Sequence, residues 1–146
     1  MSHRTYLSCE PDGSSKKAMN FEKNPDAPFA YQIEVATEEI ERTRSELPDP
    51  IRLALNEVAT VLEEFPSPAH EADGVDSDQL GLFEGADATD TGSPQIPRIV
   101  LWLGNLWDMC EADEDAFRQE VRITFLHEIG HYLGLDEIDL SERGLE

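Results

Sequence analysis

Apolar positions recur at helical spacing through APFAYQIEVATEEIERTRSELPDP, residues 27–50. Phe29, Ile33, Ala36, Ile40 and Leu47 predict a helix, and Pro48 ends it. Asp49 and Pro50 then cap a short second helix over IRLALNE, residues 51–57. The period changes at VATVLEEF, residues 58–65, whose β-branched start predicts a strand. Residues 66–78 read as an acidic loop with two prolines. LGLFEG, residues 80–85, is a second short strand, and a further loop runs from Ala86 to Pro97. RIVLWLGN, residues 98–105, is the strongest strand signal, because Ile99, Val100, Leu101, Trp102 and Leu103 form one apolar run.

The best helix in the chain follows. Asp113 is placed as its N-cap, and Glu114 and Asp115 complement the dipole in the first turn. Phe117, Val121, Thr124 or Phe125, and Leu133 supply its packed face, and Gly134 is placed to end it in a left-handed cap. The order helix, strand, strand, strand, helix predicts a small single-domain α+β fold. Its short sheet of about three strands packs with an N-terminal helix and a C-terminal helix. Residues 1–25 are polar and aperiodic and read as a disordered arm, which leaves 26–146 as the domain. Met19 is an alternative start within that arm.

Charge narrows the range of partners. The chain has 32 Asp and Glu against 11 Lys and Arg, a net charge of −21. Every lysine (Lys16, Lys17, Lys23) lies in the arm, so the body is acidic and uses only arginine. Such a body repels phosphate backbones, which argues against nucleic acid and anionic membranes as partners. Cys9 and Cys110 are too few for a disulfide framework. No apolar run matches a secretory signal or a membrane span, so the expected compartment is the cytoplasm.

The candidate chemistry lies in FLHEIGHYLGLDE, residues 125–137, within the last helix. Residues i and i+4 share one helical face, so His127 and His131 can aim two imidazoles at one point. Zinc takes such nitrogen ligands at about 2.0–2.1 Å. Glu128 sits one step round, too displaced to be a third ligand but within reach of a metal-bound water as general base. The third ligand has to come from just beyond Gly134, where the chain can turn back. Glu137 is the first choice and Asp136 the alternative. Only fifteen residues follow His131, too few for a ligand on a separate downstream helix, and Glu142 and Glu146 are weaker candidates.

Other residues have plainer readings. Tyr132 is rotated about 100° from His131 and is expected to pack. Gly130 is expected to permit close approach of a neighbouring element. His70 is read as a surface histidine in the acidic loop, and His3 belongs to the arm. Trp102 and Trp107 are read as core or rim aromatics, and Cys110 as a small packing residue.

HEIGHYLGLDE resembles the short HExxHxxGxxD form of the zincins, and the chain from about Phe29 onward resembles the minimal bacterial zincin-like domain family. ELPDPIRLALNEVATVLEEFP, LGLFEG, IPRIVLWLGNL and FRQEVRITFLHEIGHYLGLDE carry that resemblance by their order and spacing. It implies a short sheet beside the metal helix, zinc held at His127 and His131, and Glu128 as catalytic base. The chain departs from the family at the third-ligand position, usually Asp, where Glu137 stands with Asp136 beside it. The function expected is zinc-dependent hydrolysis of a peptide or protein substrate. That substrate would lie along a sheet edge offered by either LGLFEG or RIVLWLGN. Two alternatives differ in class. A non-catalytic zinc-binding module has no need of Glu128. A metal-dependent endoribonuclease of the type that matures ribosomal RNA has histidine at the place of Glu137 and does not typically have glutamate at that of Glu128.

Overall fold

The computed structural model describes residues 27–85 and 96–134. The expected arm at 1–25 lies outside them, as does the start of the domain at residue 26. Helix α1 covers Phe29–Glu46 and α2 covers Asp49–Ala54, continued by a 3₁₀ turn at Leu55–Glu57. Strand β1 (Ala59–Glu63) is followed by α3 (Pro68–Ala72) and β2 (Gly81–Glu84). Strand β3 (Arg98–Trp102) runs straight into α4 (Leu103–Met109), and α5 spans Glu114–Tyr132. The α+β architecture is the one the sequence predicts.

The sheet has the order β1-β3-β2. The apolar strand β3 is central, parallel to β1 and antiparallel to β2. Its two faces meet different partners. Ile99 and Leu101 point into the main core with Phe117, Val121, Phe125 and Ile129 of α5 and Val35, Ala36 and Ile40 of α1. Val100 and Trp102 point the other way, yet they are fully buried, because the segment around α3 covers that outer face. Trp107 is core, with its ring edge-on to Phe117 at a centroid distance of 4.9 Å. Cys110 is buried as a packing residue. Phe117 is completely enclosed, so Phe117→Ala is expected to cost about 3–5 kcal/mol by cavity formation. Denaturant unfolding measures this as a drop in midpoint at unchanged slope.

Three expectations change. The strand read through Asn105 stops at Trp102, and Leu103 begins a helix. Leu103 and Leu106 are both fully buried, and a short apolar run has no period that separates a buried strand from a buried helix. The loop at 66–78 contains α3, capped by Ser67, whose Oγ accepts from the His70 N–H, and started by Pro68 at its first position. The buried stripe of α1 includes Gln32, Glu39 and Thr43 rather than only apolar residues, while Phe29 and Ile33 are half-buried. Glu39 lies 3.1 Å from Arg42 and 3.6 Å from Arg118 of α5, and Thr43 accepts from Arg122 at 3.3 Å. Tyr31 adds a bond to Glu114 that, with burial, pushes the phenol up to about 12. Polar partners from α5 are therefore what allow α1 to bury Glu39 and Thr43, whereas the buried Gln32 Oε1 has no hydrogen-bond partner among the described residues.

Candidate metal centre

Helix α5 forms where expected. The Asp113 carboxylate accepts from the N–H groups of Asp115 and Ala116, and Glu114 and Asp115 occupy the first turn. At its far end Gly134 has φ +74°, and its N–H bonds the His131 carbonyl. That is the left-handed conformation expected of the glycine that ends this helix.

His127 and His131 face one point. Their ring centroids are 4.6 Å apart with planes at 86°. The ligating atoms of His127, Glu128 and His131 all lie within 4.8 Å of one another, and this is the one such cluster among the described residues. Two nitrogens on a tetrahedral zinc stand about 3.4 Å apart at the usual bond length, a separation that falls within the 4.8 Å span of this cluster. Two borderline imidazole donors and a nearby carboxylate are the donor chemistry zinc selects. Glu137 and Asp136 lie outside the described residues, as do Glu142 and Glu146.

The three residues differ in exposure. His131 is exposed, His127 half-buried and Glu128 buried. Burial pushes the Glu128 carboxyl above the ordinary glutamate value, while the charges of His131 and His127 and a bond from the Phe83 N–H pull it back. The backbone of β2 explains that bond. Trp102 N–H donates to the Leu80 carbonyl at 2.9 Å, so Leu80, Leu82 and Glu84 direct their backbone groups toward β3. Gly81 and Phe83 direct theirs to the other side, where β2 has no strand neighbour among the described residues. There Gln79 Nε2 donates to the Gly81 carbonyl at 3.0 Å, and Phe83 meets Glu128.

A cleft of about 450 Å³ runs along this edge, lined by Gln79, Gly81, Leu82, Phe83, Gly85, Glu128 and His131. Of the two strands read as candidate edges, RIVLW is the central strand and GLFE lies at an edge of the sheet among the described residues. Two close contacts hold that edge against α5. Phe83 packs on Tyr132 at 5.6 Å between ring centroids, which is the packing role expected of Tyr132. A Cβ on Gly81 would stand 2.7 Å from Thr124 Cγ2, so only glycine lets β2 lie this near the helix. Gly81→Val is expected to push the strand off α5 and cost about 1–3 kcal/mol, read as a lower Tm at unchanged α-helical circular dichroism. Gly130 is buried within α5.

Several contributors had no signature in the sequence. Phe83 acts through its main chain, which its side-chain identity does not disclose. Asn105 is buried and donates to the Ser77 and Gln79 carbonyls at 2.8 Å each, fixing the entry to β2. His70 is not a surface histidine. Its side chain is 14% exposed, bonded to Glu84 and set edge-on against Trp102. The Ser-Pro start of α3 was the one local signal that could have placed it on a helix. His3 and Cys9 lie outside the described residues.

This geometry, a paired-histidine helix beside a short sheet with a buried carboxylate between them, defines a metallopeptidase-like fold with a candidate metal site. The sequence model of one family, described as zincin-like metallopeptidase, matches residues 55–145, more than half of the chain. The chain belongs to the zincin-like metallopeptidases. No curated protein matches it. Among the described residues, no helix is long and apolar enough to cross a membrane.

Proposed function

We propose that the protein is a zinc-dependent peptidase acting on an extended peptide or protein segment, with Glu128 as general base. The observation that carries this reading is a buried carboxylate set beside two metal-competent imidazoles, at a cleft along a strand edge that has no partner strand among the described residues. His127 and His131 would hold the ion, with Glu137 or Asp136 as third ligand. When bound, zinc supplies Lewis acidity toward the scissile carbonyl and lowers the pKa of a coordinated water toward about 7.

The chain's own residues do the rest. Glu128 takes the proton of the attacking water at a carboxylate oxygen and returns it to the departing amine. Its burial strengthens it as a base, and the Phe83 N–H keeps one of its oxygens oriented. The substrate lies along β2 and continues the sheet, its main chain bonding the Gly81 N–H and the Phe83 carbonyl. The acidic body favours peptides over nucleic acid.

The test begins with zinc content, measured by plasma mass spectrometry on untagged protein in chelator-treated buffer. Zinc-loaded protein is then incubated with a mixture of unstructured peptides, and new termini are read by mass spectrometry. About one zinc per chain with new termini that disappear on chelation is the expected result. Stoichiometric zinc without any cleavage would leave a zinc-binding module and overturn the peptidase reading.

A further inference from the structure

Strand β2 has four residues and, among the described residues, one strand neighbour. So short an edge frays unless something besides its ladder holds it. Yet Phe83, the third of the four, turns its N–H away from β3 to the cleft that it lines together with Glu128. The two ends of the strand show what holds it. Before it, Asn105 ties the Ser77 and Gln79 carbonyls to α4. After Phe83 comes Glu84, on the outer face of the sheet and away from α5. Arg98 Nη2 holds Glu84 Oε1 at 2.5 Å, and His70 Nε2 lies 2.8 Å from Oε2.

His70 is itself well held. Ser67 Oγ stands 3.0 Å from its Nδ1, and its ring meets the edge of the fully buried Trp102 at 5.2 Å. Glu63 Oε1 is 4.0 Å from Nδ1 and accepts from Trp102 Nε1 at 3.0 Å. With the Ser67 hydroxyl donating to Nδ1, the Nε2–H points at Glu84, so the neutral ring satisfies both partners. One imidazole thus joins β1, α3 and β3 to the residue that follows Phe83.

We propose that His70 is a positioning residue of the metal centre: by gripping Glu84 on the outer face, it fixes β2 against α5 and keeps the Phe83 N–H aimed at Glu128. Its effect on turnover rests on the peptidase reading above, whereas its effect on the strand does not.

Amide hydrogen exchange, resolved by residue on the zinc-loaded full chain, separates this role from ordinary stabilisation. His70→Phe keeps the ring on Trp102 and loses both hydrogen bonds, whereas His70→Gln keeps a donor for Glu84. In His70→Phe the Phe83 amide is expected to exchange about tenfold faster or more, the scale of one lost hydrogen bond to a charged group. The amides of Phe125 and Leu126 in α5 are expected to change by less than about twofold, and His70→Gln restores Phe83 protection. Where His70→Phe does not fold, Glu84→Met, which has no oxygen to accept from His70 or Arg98, removes the same grip and is judged identically.

An unchanged Phe83 amide, or acceleration only in step with α5, would overturn the proposal. With a peptide that the wild type cleaves, kcat/KM is expected to fall about tenfold in His70→Phe at unchanged zinc content, because small misplacements of a catalytic group are costly. Faster exchange with unchanged kcat/KM would reduce His70 to a structural tie and overturn the positioning role. If the wild type cleaves no peptide, the peptidase reading fails, and the exchange result still decides whether His70 holds the strand.

Discussion

Glu128→Gln is expected to lower kcat for peptide hydrolysis by about 10²–10⁴-fold while about one zinc per chain is retained. The substitution keeps the shape of the side chain and removes its capacity to take a proton. The amide oxygen can still accept from the Phe83 N–H, so the contact between α5 and β2 survives. Folding is not expected to suffer. Burial disfavours the charged carboxylate, and a neutral amide escapes that cost, so the metal-free variant is expected to melt no lower than the metal-free wild type. His127 and His131 are untouched, so metal content is preserved. The two measurements must be made together. Lost turnover with retained zinc identifies Glu128 as the base. Unchanged turnover would remove it from the mechanism and point to cleavage by a contaminant.

His127→Ala is expected to abolish zinc-dependent stabilisation, and His131→Ala is expected to do the same. A ligand at 1,000 times its dissociation constant stabilises the native state by about 4 kcal/mol. For a chain of this size that corresponds to a rise in Tm of roughly 10 °C. The wild type should show this rise on titration with zinc, and each alanine variant should melt at the same temperature with and without metal. The design also assigns the third ligand. Between Glu137→Gln and Asp136→Asn, the variant that behaves like His127→Ala has lost a ligand, and the one that behaves like the wild type has not. A wild type with no metal-dependent shift would mean that the two imidazoles are not completed into a site.

The metal helix was legible because its geometry is local. Any helix over FLHEIGHYLG stacks His127 above His131 and turns Glu128 to one side, and Asp113 and Gly134 mark its two ends within a residue or so. The packed faces of α5 and the strand character of residues 59–63, 81–84 and 98–102 were readable for the same reason. Errors arose where the period was silent. Leu103 continues an apolar run that fits a buried strand or a buried helix equally well. The polar stripe of α1 was hidden because its partners, Arg118 and Arg122, lie some eighty residues away.

The sequence alone determined two metal-competent histidines and a carboxylate on a single helical turn, since a helix repeats every 3.6 residues whatever surrounds it. Only the tertiary structure decided that RIVLW lies in the middle of the sheet, that GLFE offers its edge, and that the Phe83 main chain meets Glu128. It also drew His70 from an acidic segment onto Trp102 and Glu84. Those outcomes depend on which strand pairs with which and which face a helix covers. They are contacts between segments distant in sequence, and no local period encodes them.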